Sequence, residues 1–161
     1  MYNDTVEWRD VMKSLLAAAT AINEIDVDEL WNSMVYSKTL RLNSDNTIEN
    51  ISGNDKSGSS KKRGIYRHVS ADGELLYVGK GEKMSIGARQ NSHFYTFRNP
   101  HSNQERTGVK YRKLISDRGL QSLDIVIEYL DMTNLPVYLI PMVELMLIEN
   151  FQPLLNNETE S

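Results

Sequence analysis

The apolar positions of this chain change period along its length. From 6 to 23, Val6, Leu15, Leu16, Ala19 and Ile22 recur at roughly helical spacing among dense alanines, which predicts a helix. Asp26-Val27-Asp28-Glu29 reads as an acidic first turn and predicts a second, short helix reaching about residue 35. Residues 38–51 alternate weakly and suit a strand pair turning around Ser44-Asp45-Asn46. A polar, Gly/Ser-rich stretch at 52–62 reads as a linker. Beyond it, strands are predicted at about 64–70 and 74–79, joined through Asp72-Gly73, an Asp-Gly turn between apolar runs. Helices at about 85–97 and 107–118 follow, separated by a loop holding Asn99-Pro100, the second ending at Gly119 as its C′ residue. Residues 123–130 alternate as a strand with Leu123, Ile125, Ile127 and Tyr129 on one face, and Asn134-Leu135-Pro136 turns the chain. A last apolar helix is predicted over about 140–151, stopping before Pro153.

The length, 161 residues, suits one compact domain with an extension. No apolar stretch reaches the roughly 18 residues of a membrane-spanning helix. The polar, acidic opening is unlike a signal peptide. The absence of cysteine excludes disulfides and thiolate-ligated zinc modules, and suits a reducing cytoplasm. Net charge is -4, but it is unevenly spread: residues 1–60 carry -5, residues 61–118 carry +8, and residues 119–161 carry -7 with no Lys or Arg. The middle block reads either as the footprint of a polyanion or as a solvated charged surface.

Gly64-Ile65-Tyr66 and Tyr77-Val78-Gly79 bracket the predicted hairpin, their tyrosines separated by ten residues. This describes an ordinary hairpin with two core tyrosines, or one whose glycines let another group approach the backbone. Arg89 and His93 stand four apart on the following helix and point the same way. An arginine fork matches phosphate oxygens; the alternatives are a surface arginine and a core-edge histidine. On a helical wheel Glu144 falls among Ile140, Leu147, Ile148 and Phe151, with Glu149 and Asn150 on the wetter side. A carboxylate on an apolar face is costly unless a cation pairs with it, which points either to a metal ligand or to a salt-bridged structural Glu.

These elements, in order Gly-Ile-Tyr, Tyr-Val-Gly-Lys-Gly, Arg89, His93, Glu144, and Pro153-Leu-Leu-Asn156, resemble the GIY-YIG nuclease family. Val78 stands where Ile is usual, the Tyr77–Arg89 interval is longer than the family pattern, and 98–109 resembles an insertion. The resemblance covers about 64–156 and implies an α/β sandwich: a small three-stranded antiparallel sheet flanked by helices. It divides the chain into an N-terminal helical extension (1–51, with a role in DNA recognition or dimerisation), a linker (52–62) and a nuclease domain (63–157).

The resemblance also implies function: a metal-dependent endonuclease hydrolysing phosphodiesters of double-stranded DNA, of restriction or phage type, with no membrane partner and with a homodimer as one possible assembly. Tyr66 and Tyr77 then face the scissile phosphate, Tyr66 helping to activate water. Lys80 supplies a cation, Arg89 stabilises phosphoryl charge, and His93 holds or relays a proton. Glu144 binds one Mg²⁺, for which Mn²⁺ substitutes, and Asn156 supports the site from the chain's end. Lys61, Lys62, Arg63, Lys83, Arg98, Arg106, Lys110, Arg112, Lys113 and Arg118 run along the DNA backbone. Phe94, Tyr95 and Phe97 either stack on bases or, more simply, fill a helical core. Little chain follows Asn156, so target selection falls to the extension, the insertion or a dimer. The rival readings are a DNA-binding module with the same fold, a nuclease subunit of a repair or mobile-element complex, and a hairpin domain whose acidic N-terminal half docks on a protein.

Overall fold

The computed structural model describes residues 26–53, 61–98 and 106–156. The expected 6–23 helix, most of the linker and the Asn99-Pro100 loop lie outside them. The elements run α1 (Val27–Asn32), β1 (Val35–Asn43), β2 (Ile48–Gly53), β3 (Gly64–Ser70), β4 (Leu75–Gly81), α2 (Ile86–His93), α3 (Tyr95–Arg98), α4 (Arg106–Asp117), β5 (Ser122–Asp131) and α5 (Leu139–Phe151).

The sheet has five strands in the order β2-β1-β5-β3-β4, all pairs antiparallel. This corrects the expectation of a three-stranded sheet; in the described part of the expected extension, residues 26–51, a short helix is followed by the strand pair expected at 38–51. The three expected strands, β4, β3 and β5, are there, but β5 offers a second edge, and the 35–53 hairpin takes it in register from Val35↔Tyr129 to Asn43↔Ser122. Leu40 and Leu42, 3% and 0% exposed, go into the core with it, which is why this hairpin joins the sheet. Asp45 Oδ1 fixes its turn by accepting from the Thr47 N–H at 3.1 Å, and Asn46 takes the left-handed φ of 64°. Asp26 caps α1 by accepting from the N–H groups of Asp28 and Glu29. Gly119 does end α4, at φ 61°, its N–H donating to Ser116 O.

Each face of the sheet has its own helical layer. On one, Phe94, Phe97, Tyr111, Leu114 and Ile115 from α2–α4 pack on Leu40, Leu42, Ile125 and Ile127. On the other, Leu139, Ile140, Val143 and Leu147 of α5 pack with Ile65, Val78 and Met132. Trp31 of α1 stacks on Phe151 with ring centroids 4.0 Å apart, and the Arg67 guanidinium lies 4.4 Å from the centre of the Trp31 ring. The short helix is thereby pinned to both β3 and α5.

The β4 edge is covered by the chain's own end. Leu154 and Leu155 N–H groups donate to Leu75 O and Leu76 O, and the Asn156 carboxamide continues the ladder, donating to Val78 O and accepting from Val78 N–H, each at 2.8 Å. An asparagine side chain offers both a donor and an acceptor, as a strand edge requires.

Candidate active site

The Gly-Ile-Tyr strand and the Tyr-Val-Gly strand lie side by side, with Tyr66 opposite Gly79. The Tyr66 ring runs across β4 at that glycine. A Cβ at Gly79 would overlap the phenol, lying 2.5 Å from Tyr66 Cζ and 2.7 Å from Tyr77 Cε2. Gly64 answers a second constraint: at φ 152° it lets β3 close on β5, where a Cβ would overlap the Leu130 carbonyl. The glycines are therefore places of close approach, where the groups that approach are the sheet's own Tyr66 ring and Leu130 carbonyl.

Tyr66 is fully buried, and its hydroxyl is hydrogen-bonded to His93 Nε2. Burial above all, with Tyr77 adding to it, holds its phenol well above the usual tyrosine range, while the Arg89 guanidinium, hydrogen-bonded to it, pulls the other way. Tyr77 packs beside it, ring centres 6.1 Å apart. Ser85 caps α2 by accepting from the Ala88 N–H, and that helix carries both Arg89 and His93.

In front of this pair, Lys80, Glu82, Lys83, Met84, Arg89 and Glu144 line an open cleft of about 560 Å³. Glu144 enters it from α5, half-buried. Burial raises its carboxyl pKa, and Glu82 adds to the rise; Lys80 and Arg89 oppose both. Lys80 Nζ meets Glu82 Oε2 at 2.9 Å. Three of the expected site residues, Lys80, Arg89 and Glu144, thus share the cleft lining, and Arg89 and Glu144 both act on the buried Tyr66, to which His93 is bonded. Asn156 stands at the covered strand edge and acts on Val78, outside the cleft lining.

Three residues at the site escaped the sequence reading. Glu82 carried a signal, since it lies two positions after Lys80 and so shares its face of an extended chain. His68 and Gln90 are the others. His68 is on the Tyr66 face of β3 by the strand period, and its two ring nitrogens are used: Nε2 donates to Gln90 Oε1 at 2.6 Å and Nδ1 accepts from the Tyr111 hydroxyl at 2.7 Å. Burial lowers its pKa to about 3, with His93 and Lys38 pushing the same way, so the ring is neutral. Nothing in the spacing of Gln90 or Tyr111 announced that they would meet it.

The basic block is less free than its charge suggests. Lys62 pairs with Asp131 at 3.4 Å, Lys113 with Asp117 at 3.1 Å, and Arg118 with Glu74 at 2.7 Å. Lys110 Nζ donates to Leu155 O, and Arg63 Nε to Glu82 O. Arg112 lines a small pocket near the β1–β2 turn, and Lys61 and Lys83 are exposed. The Arg98 side chain lies outside the described residues. Phe94 and Phe97 are core residues, whereas Tyr95 is half-exposed. No helix among the described residues is long and apolar enough to cross a membrane.

No protein-family model, no curated protein and no solved structure matches this chain.

Proposed function

We propose that this chain is a divalent-metal-dependent endonuclease of the GIY-YIG type acting on double-stranded DNA, with β4, β3 and β5 as the nuclease sheet and the 35–53 hairpin as an addition to it. The observation that carries the reading is the gathering of Lys80, Arg89 and Glu144 in one cleft, with Arg89 hydrogen-bonded to the buried Tyr66 that pairs with His93. A hairpin with two core tyrosines has no need of that convergence.

The donor chemistry fits a hard cation. Glu144 is a carboxylate that burial makes costly to ionise, with Glu82 near enough to add to the cost, and a nearby divalent charge relieves both. Mg²⁺, which keeps most of its waters and needs few protein ligands, suits a site with one carboxylate to offer, and Mn²⁺ can take its place. Glu144 is the residue that would hold it. When bound, it supplies Lewis acidity to a phosphoryl oxygen and charge stabilisation to the leaving alkoxide.

The protein's own groups do the rest. Arg89 and Lys80 orient the phosphodiester and stabilise charge gathering on its oxygens. A water oxygen attacks phosphorus as one P–O ester bond breaks. With its pKa raised, the Tyr66 phenol is no base by itself. It serves by passing its proton to His93 Nε2 as it accepts one from the water. Because Tyr66 is buried, Arg89 turns from the phenol to the phosphate as substrate enters, which opens the hydroxyl to the cleft.

The test is supercoiled plasmid incubated with the protein and Mg²⁺, with EDTA, and with Glu144→Ala in Mg²⁺. Mg²⁺-dependent nicking or linearisation that the variant loses by more than about 100-fold supports the reading. Plasmid binding without cutting at any Mg²⁺ or Mn²⁺ concentration would replace it with a DNA-binding module.

A further inference from the structure

We propose that Glu82 controls Lys80: its carboxylate holds the Lys80 ammonium at the cleft in the free protein and gives it up to the incoming phosphate. The inference rests on the phosphodiester reading above and adds a positioning residue to it.

The geometry sets Glu82 up for this exchange. Its backbone is clamped from below. Arg63 Nε donates to the Glu82 carbonyl at 2.8 Å, and Arg63 is itself held to the end of β5, its N–H donating to Thr133 Oγ1 at 3.0 Å and its carbonyl accepting from Met132 N–H at 2.7 Å. The next backbone along is fixed too, since the Ile86 N–H donates to Lys62 O at 2.8 Å. The side chain above this clamp is partly open: Lys80 and Glu82 are 36% and 27% exposed. The carboxylate can therefore swing while the loop stays in place.

Charge gives the exchange its purpose. Lys80 and Arg89 face Glu82 and Glu144 across the cleft. With Lys83 also on the lining, three cations stand against two carboxylates, and the Lys80–Glu82 pair holds one of the three back from an incoming phosphate. Glu144 is needed for the cation. Glu82 is the acid that must yield, and ion pairs of this exposure are weak enough to open. An anion that brings only one weak contact does not dislodge it, whereas a phosphodiester held by Arg89 and by its neighbours along the strand does.

The experiment measures binding of a short duplex DNA in EDTA, where cleavage does not intrude. Glu82→Gln is expected to tighten binding about 3- to 5-fold over wild type. The same change in a Lys80→Met background should gain nothing, because the carboxylate acts through Lys80. Asp72→Asn, at the exposed β3–β4 turn, controls for net charge alone. A gain no larger than that of Asp72→Asn, or one that persists without Lys80, overturns the proposal while leaving the nuclease reading intact. Failure of wild type to bind or cut DNA at low salt removes the nuclease reading and this inference with it. A second readout needs no DNA. The rate at which an N-hydroxysuccinimide ester acetylates Lys80, read by mass spectrometry, should rise several-fold in Glu82→Gln and is the same in both if Glu82 does not hold the ammonium.

Discussion

Two polar clusters lie against β3 and β4 and obey opposite rules. Behind the sheet surface, His68, Gln90 and Tyr111 are each buried, and their hydrogen bonds run in a closed chain from the Tyr111 hydroxyl through the imidazole to the Gln90 carboxamide, whose Nε2 donates on to Ile86 O. At the cleft, Lys80, Glu82, Arg89 and Glu144 keep part of their surface in water and hold one another by charge. The first cluster has no better partner to turn to, so it locks α2 and α4 to the sheet. The second can trade its partners for a substrate. Damage to the first should appear as lost stability, and damage to the second as lost chemistry.

Arg89→Ala tests the open side most sharply. On the nuclease reading it lowers plasmid cleavage about 100- to 1000-fold, the scale of one lost charge-stabilising donor. Thermal melting should move by only a degree or two. If its melting temperature instead drops as far as that of a His68 variant, Arg89 belongs with the locked cluster and the comparison fails. His68→Ala tests the other side. It empties part of the core and orphans two buried polar groups, for an expected loss of about 3–4 kcal/mol in urea denaturation. A loss under about 1 kcal/mol would mean that the Tyr111–Gln90 chain finds other partners.

The same histidine gives the fold an acid limb. His68 has a pKa of about 3 in the folded state, against about 6.5 when unfolded. Between those values the unfolded chain binds the extra proton, so stability falls as the pH falls. The slope approaches about 1.4 kcal/mol per pH unit within that window, and this part of it should vanish in His68→Gln. Unfolding midpoints measured from pH 7 to pH 4 decide it.

What the sequence disclosed follows the same division. Local pattern was readable: the strand alternation ending at Tyr129, the Asp-Gly turn with Gly73 at φ 90°, and the close of α4 at Gly119 are each set by a few neighbouring residues. Glu144 was readable because a carboxylate among apolar helix positions conflicts with its surroundings, and such conflict is visible without coordinates. The 35–53 hairpin was visible as strands but not as part of this sheet, since that depends on a free edge of β5 far along the chain. The basic block was legible as charge but not as pairing, for a related reason. Summing charges over a window ignores Asp131 beside Lys62 and Glu74 beside Arg118, acids that only the fold brings near. His68 with Tyr111 is the same lesson in hydrogen bonds.

Asn156 lies between the two clusters in expected effect. Asn156→Ala strips both side-chain bonds from Val78 and should cost about 1–2 kcal/mol. Asn156→Asp keeps the acceptor for the Val78 N–H but sets a carboxylate against the Val78 carbonyl, so it should be no better than alanine. Amide exchange resolved along β4 is the useful measurement. Faster exchange at Val78 in both variants, with β5 unchanged, shows a local edge fastening; uniform acceleration across the sheet shows that the chain's end supports the whole fold.

The smallest expected effect has the opposite sign to the rest. The Glu144 pKa is raised, chiefly by burial, so the folded protein disfavours its charged form. Above the folded pKa the carboxylate is ionised and weighs against folding; that cost fades as the pH drops through the folded pKa. Glu144→Gln keeps the shape and removes the charge. It should therefore stabilise the protein by on the order of 0.5 kcal/mol at neutral pH, less in acid, while abolishing the proposed cleavage. A residue that costs stability where the chemistry needs it is what an active site predicts. A structural salt bridge predicts the reverse, because Lys80 and Arg89 would then lose a favourable partner. If Glu144→Gln melts below wild type at pH 7, the carboxylate is holding the fold together and belongs with His68.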